Sequence, residues 1–113
     1  MGRRMPDRLE ETAELRRLRK RIDALDRKLV DLLNERASLA REAGRAKSAA
    51  GRRAVRDPER EREVLLRVSM ANTGPLPQAD LVALYRRLFI ATRALEARDR
   101  TSGRDSTGGS DGD

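Results

Sequence analysis

The sequence predicts an all-α protein of three helices, the first very long, that forms a homodimer. From Glu11 to Ala49 the chain contains no proline, and its apolar residues recur at helical spacing. Two shorter helical segments follow, each preceded by a proline-containing turn, and no segment shows the alternation typical of a strand. A first helix of this length has more apolar surface than one small chain can cover, so we expect a two-fold dimer with the long helices packed together.

The composition narrows the chemistry that this chain can perform. Its 113 residues suffice for one small domain, and 26 basic against 19 acidic residues give a net charge of +7. That charge indicates an anionic partner. The absence of Cys and His excludes disulfides, thiol chemistry, His-based metal sites and His general bases. No apolar run is long enough to span a membrane and the N-terminus lacks the apolar part of a secretory signal, so we expect a cytoplasmic protein.

We divide the chain into three parts on composition. Residues 1–10 are predicted to be a flexible basic N-terminus, residues 11–99 a helical domain, and residues 100–113 a disordered tail of Gly, Ser and Asp.

Two turns separate the helices. Asp57 followed by Pro58 is a typical helix start, with Asp57 as the N-cap, and the second helix is predicted to reach Asn72. After the turn "NTGPLPQ", the third helix is predicted from about Pro77 to about Arg98.

Six polar residues fall on the apolar helix faces or at their edge: Arg19, Arg36 and Lys47 on the first helix, Glu61 on the second, and Thr92 and Glu96 on the third. One interpretation is a polar layer in a coiled coil, which fixes register or partner choice. However, burying an unpaired charge is strongly unfavourable, and the inward cations outnumber the inward anions. This excess indicates an anionic ligand such as a dicarboxylate, which Arg can bind through two hydrogen bonds.

The sequence contains no phosphate-binding glycine loop, no activated Ser, no zinc-ligand spacing and no paired carboxylates of the hydrolase type. We therefore expect no metal and no cofactor. A pocket of this composition suits a reaction that needs only positioning and electrostatic stabilisation.

Three segments together carry a family resemblance: "LRRLRKRIDALDRKLVDLLNERASLAREAGRAK", "AVRDPEREREVL" and "LYRRLFIATRALEAR". They resemble the all-helical chorismate mutase family, the AroQ class, over about residues 15–98. The Gly-Pro-Leu turn is similar to that of mutase domains fused to prephenate dehydratases. The resemblance implies conversion of chorismate to prephenate by a Claisen rearrangement, in the biosynthesis of Phe and Tyr. It also implies an intertwined, domain-swapped homodimer whose two sites each take residues from both chains.

The resemblance assigns the cations to the substrate. Arg36 and Lys47 would bind carboxylates, and Lys47 would also donate to the ether oxygen of the breaking bond. Arg19 would reach in from the other protomer to bind a carboxylate.

The other roles are likewise implied by the resemblance. Arg60 would support the carboxylate and orient Glu61, which with the backbone near Asp57 would hold the ring hydroxyl. Asp57 is also explained as a helix cap alone, and Arg60 lies off the apolar face. Thr92 would lie beside the carboxylate, where the family commonly has Ser. Glu96 would be the second donor to the ether oxygen, where many members have Gln.

Glu96 departs from the family pattern in an informative way. A carboxylate must be protonated before it can donate a hydrogen bond. Burial and the substrate charge would raise the pKa of Glu96 and Lys47 would lower it, and the sequence does not rank these effects. We expect activity that falls as pH rises.

Several alternative functions remain open on the sequence. The same scaffold could act on 4-amino-4-deoxychorismate, or as an isochorismate-pyruvate lyase, although "RDPERERE" is closer to the mutase pattern. The chain could also be a non-catalytic or regulatory helical partner of a shikimate-pathway enzyme. A nucleic-acid-binding coiled coil is the weakest alternative, because only Tyr85 and Phe89 are aromatic and the charges are mixed along the chain.

Overall fold

The computed structural model describes residues 11–52 and 56–111, with side chains as far as residue 102. Three helices follow one another: α1 at Ala13–Ala49, α2 at Pro58–Ala71 and α3 at Gln78–Asp111. Every regular element in these ranges is a helix, so the predicted all-α class and helix order are confirmed. The predicted flexible segment at 1–10 lies outside the described residues.

The chain divides into two compact units, Met1–Arg36 and Ala37–Asp113. In the first unit, α1 begins after Thr12, two residues later than predicted. The Leu15 amide donates to the Thr12 hydroxyl at 3.0 Å, which is the geometry of an N-cap. Glu11 lies just outside the helix and pairs with Arg19 inside it. The start of α1 is therefore set by local polar contacts.

The apolar stripe of the first unit is exposed in the single chain. No residue of α1 is buried, and the exposed fractions of its large apolar residues up to Arg36 run from 38% at Leu15 to 61% at Leu25 and Leu32. Helices in proteins gain most of their stability by packing such a face. The single chain therefore leaves the main apolar surface of α1 without a cover.

In the second unit, α1 ends in a Schellman motif. Gly51 has a φ of 86°, a conformation that favours glycine. Its amide donates to the Ser48 carbonyl at 2.9 Å, and the Arg52 amide donates to the Lys47 carbonyl at 2.8 Å. This termination places Lys47 in the last turn of α1.

The α2 helix begins where the sequence predicts. Asp57 is the N-cap, Pro58 is the first helical residue, and the Arg60 amide donates to the Asp57 carboxylate at 3.1 Å. The helix ends at Ala71, so Asn72 is its C-cap rather than its last residue. The Asn72 side-chain amide donates to Gln78 at 2.8 Å, which links the end of α2 to the start of α3.

A small core joins α2 to α3. Val64 and Phe89 are the buried apolar residues among those described, at 9% and 7% exposure. The Tyr85 and Phe89 rings meet edge to face with centroids 6.3 Å apart. One polar residue, Thr92, is buried with them at 8% exposure.

The α3 helix extends beyond its predicted end. We expected it to finish at about Arg98, but its backbone is helical to Asp111, so that boundary is wrong. Neither Gly103 nor its neighbours stop the helix, because glycine weakens a helix without blocking it as proline does. The Thr101 hydroxyl donates to the Ala97 carbonyl at 3.1 Å within this extension. Disorder of the 100–113 tail in solution stays a prediction.

Candidate active site

Two residues of α1 contact two residues of α3 in the second unit. The Arg41 guanidinium donates through Nε and Nη2 to the two carboxylate oxygens of Asp99, at 2.8 and 2.7 Å. This bidentate geometry fixes the direction of both side chains as well as their separation. The hydrogen bond raises the pKa of Arg41 and lowers the pKa of Asp99, so both partners stay charged.

Glu96 lies one turn before Asp99 and rests against Gly44. A Cβ atom at position 44 would lie 3.3 Å from Glu96 Cγ and 3.5 Å from its Oε1. Glycine inside a helix costs roughly 0.5–1 kcal/mol relative to alanine. Here it creates the space in which the Glu96 side chain packs along the α1 backbone.

The surroundings of Glu96 favour its protonated form. Burial is the largest effect and raises its pKa, and the nearby Asp99 carboxylate raises it further. The Lys47 ammonium is the strongest opposing influence, followed by Arg100 and Arg93. The net direction is upward. The sequence left the balance between burial and Lys47 open, and the tertiary structure decides it in favour of burial.

Glu61 is also held from α3. Its carboxylate accepts a hydrogen bond from Arg93 in an ion pair whose side chains are 18% and 26% exposed, respectively. Arg56 Nε is 3.9 Å from the other carboxylate oxygen. Arg93 was not among the predicted site residues. Its position three residues before Glu96 was the available signal, because residues three apart share a side of the helix.

The remaining predicted residues of the second unit are placed as follows. Thr92 is buried, as its wheel position predicts, and its hydroxyl donates to the Leu88 carbonyl at 2.8 Å. Arg60 is exposed and donates to Glu63 at 2.9 Å rather than to Glu61. Asp57 caps α2, and its Oδ2 atom is 4.0 Å from Nη2 of Arg52. The second unit therefore links Lys47, Glu96, Arg93 and Glu61 through charge interactions, whereas Arg60 and Asp57 have local partners.

Two predicted residues belong to the first unit. Arg19 is paired with Glu11, and its side chain is 60% exposed. Arg36 is half-buried. In ranges 11–52 and 56–111, no group of three or more acidic side chains is arranged to hold a metal ion, and no helix combines the length and apolar character of a membrane span.

Comparison with known proteins defines the class. The chorismate mutase type II family matches residues 18–97, most of the described chain. The chain therefore belongs to this family.

Its relatives are consistent with that assignment. A bifunctional chorismate mutase/prephenate dehydratase of Aquifex aeolicus is 42% identical over 89 residues, which cover 75% of this chain and 24% of that protein. The corresponding protein of Stutzerimonas stutzeri is 38% identical over 92 residues, covering 78% of this chain and 25% of that protein. The chain thus spans about a quarter of the length of these relatives.

A solved structure supports the same fold. The chorismate mutase of Thermus thermophilus, in its form II structure, has a TM-score of 0.71 and 35% identity, covering 75% of this chain and 96% of the other.

Proposed function

We propose that this domain is a chorismate mutase, an isomerase that converts chorismate to prephenate for the synthesis of Phe and Tyr. The observation that carries the proposal is the placement of Glu96. In a chain of this family, a glutamate with a raised pKa packs against Gly44 within the field of the Lys47 ammonium. A cation and a neutral carboxylic acid together supply two hydrogen-bond donors for one developing negative charge.

The reaction needs no covalent intermediate. The ether C–O bond of chorismate breaks while a C–C bond forms between the enolpyruvyl group and the ring, and the product contains the same atoms. Lys47 and protonated Glu96 would donate to the ether oxygen, where negative charge grows in the transition state. Arg36 and Lys47 would bind the substrate carboxylates and hold the enolpyruvyl group over the ring.

The other predicted residues would orient the substrate. Glu61, with the backbone near Asp57, would accept a hydrogen bond from the ring hydroxyl. Thr92 would lie beside a carboxylate, and Arg60 would support that carboxylate. Arg93 donates a hydrogen bond to Glu61, and Arg60 donates one to Glu63, so substrate binding would require Glu61 and Arg60 to exchange partners.

The exposed stripe of α1 supports a homodimer. Leu18, Ile22, Leu25 and Leu29 are 43% to 61% exposed in the single chain. A second copy would cover this stripe. Fully burying a wholly exposed Leu or Ile side chain contributes roughly 1.5–3 kcal/mol, so each of these half-exposed side chains would contribute about half as much. We propose an intertwined, domain-swapped dimer in which Arg19 of each protomer completes the site of the other. We place the enzyme in the cytoplasm.

The test is the consumption of chorismate by the purified protein across about pH 5 to 9, with the product identified by its proton NMR and ultraviolet spectra, because an isomer has the same mass as its substrate. We expect prephenate to form, with a rate that declines at high pH. The same assay with 4-amino-4-deoxychorismate and isochorismate tests the related substrates. Faster conversion of either would replace chorismate as the substrate, and no conversion of any would favour a non-catalytic partner role.

A further inference from the structure

We propose that Arg41, Asp99 and Gly44 form a positioning layer behind the active site, which sets the approach of α1 to α3 and holds Glu96 as a hydrogen-bond donor near Lys47. The inference rests on the proposed function, because it assigns the layer to the donor of that reaction.

The geometry of the layer is a two-point contact. Arg41 and Gly44 are three residues apart on α1, and Glu96 and Asp99 are three residues apart on α3, so each pair lies on one helix face. Arg41 contacts Asp99 and Gly44 contacts Glu96, so the order of contacts reverses from one helix to the other. Lys47, the other proposed donor, lies three residues after Gly44 on the same face of α1.

The Arg41–Asp99 pair is poorly placed to contribute much stability. The side chains are 42% and 23% exposed, and partly exposed ion pairs contribute little to folding. A bidentate pair between two helices nevertheless restricts both rotation and sliding. We therefore assign the pair to alignment of the helices at Glu96.

Asp99 also contributes a fixed charge. Because Arg41 lowers the pKa of Asp99, this carboxylate stays ionised at neutral pH. Its negative charge raises the pKa of Glu96. Lys47 on α1 and Arg93 and Arg100 on α3 act in the opposite direction. Among the charged groups that the structure describes around Glu96, Asp99 is thus the one that favours the protonated, hydrogen-bond-donating form of Glu96.

Gly44 supplies the space that this arrangement requires. A methyl group at position 44 would lie 3.3 Å from Glu96 Cγ, closer than ordinary van der Waals contact. The Glu96 side chain must then move by a few tenths of an ångström, and a side chain with rotatable bonds would move before the two helices do. A larger residue would therefore displace the Glu96 carboxyl from its position near Lys47 while leaving the helices intact.

The first test is a carbon NMR titration of the Glu96 carboxyl in the wild type and in Asp99→Asn. The asparagine retains an acceptor for Arg41 but removes the charge, so we expect the pKa of Glu96 to fall. We also expect the high-pH limit of mutase activity to move to lower pH by the same amount. Asp80→Asn is the matched control. It also removes one negative charge from α3, but at a position roughly 24 Å from Glu96 along the helix.

The second test is Gly44→Ala, with Gly74→Ala as its control. Nothing lies within 4 Å of a Cβ at position 74. We expect Gly44→Ala to unfold at the wild-type temperature or above, because alanine favours a helix, while its kcat falls severalfold with little change in KM. Gly74→Ala should retain wild-type kcat.

The results separate this inference from the proposed function. An unchanged Glu96 titration in Asp99→Asn, or an unchanged kcat in Gly44→Ala, would overturn the positioning layer even in an active mutase. A wild type without mutase activity would overturn the proposed function, and with it the assignment of the layer to catalysis. The NMR titration would then still measure the effect of Asp99 on Glu96.

Discussion

Glu61 and Arg93 form an ion pair between α2 and α3 in which neither side chain is more than 26% exposed. The pair couples the two glutamates of the site, because Arg93 binds Glu61 and also lowers the pKa of Glu96. One guanidinium therefore acts both on the proposed ring-hydroxyl acceptor and on the proposed donor to the ether oxygen.

Replacing Arg93 by Met should have two measurable effects. Glu61 loses its main partner while partly buried, so the free energy of unfolding should fall by about 1–3 kcal/mol. The pKa of Glu96 should rise, which would extend activity to higher pH. Urea unfolding and the pH profile of kcat/KM measure the two effects. Arg86→Met, at an exposed position of the same helix, should change neither, and an unaltered pH profile in Arg93→Met would contradict the coupling.

Lys47→Ala should remove one of the two proposed donors to the ether oxygen. Loss of one preorganised donor typically slows a reaction by roughly 10²–10³-fold, and we expect kcat to fall by this factor. The melting temperature should change little, because Lys47 has no carboxylate partner within the range of a salt bridge among the described residues. Lys28→Ala on the same helix is the control. A Lys47→Ala enzyme with wild-type kcat would remove this residue from the mechanism.

Glu96→Gln should flatten the pH profile of the reaction. The wild type should lose activity as pH rises through the raised pKa of Glu96, because the ionised carboxylate accepts hydrogen bonds but cannot donate them. Glutamine donates at every pH. Initial rates of chorismate consumption, measured in both proteins across the same buffers, test this expectation. The same decline at high pH in Glu96→Gln would show that another group is responsible.

The stability of the fold should also depend on pH through the protonation of the Glu96 carboxyl. The folded-state pKa of Glu96 is raised above its ordinary value of 4.5, so the stabilising contribution of its protonated form is fully present below that value. It is lost as pH rises through the folded-state pKa. The free energy of unfolding of Glu96→Gln, measured in urea, should therefore exceed that of the wild type by more at neutral pH than at acidic pH.

Mixing two inactive variants tests whether sites are shared between chains. Arg19→Ala and Lys47→Ala should each be nearly inactive alone. If Arg19 completes the site of the other protomer, each mixed dimer contains one fully intact site. Random reassembly after unfolding would then restore about a quarter of wild-type activity. Light scattering should give the mass of a dimer for every protein, and no recovery on mixing would contradict a site shared in this way.

How much of this structure the sequence could predict depends on how far apart in the chain the interacting residues are. Local chemistry in the chain predicted the helices, because the apolar period, the Asp57 cap and the proline at position 58 act within a few residues. The end of α3 near Arg98 was wrong because Gly and Ser lower helix propensity without terminating a helix. The unusual residues Lys47 and Glu96 also stood out in the sequence as polar groups at apolar spacing.

Only the tertiary structure could decide which residues surround Glu96. Arg41 and Asp99 are 58 positions apart, and Glu61 and Arg93 are 32 apart. No local period connects such residues. The sequence by itself determined the family pattern, the helices and the identity of the proposed donor. The packing of α3 in the second unit determined the partners of Glu61, the need for glycine at position 44 and the upward direction of the Glu96 pKa, because burial and charge at a side chain depend on segments distant in the chain.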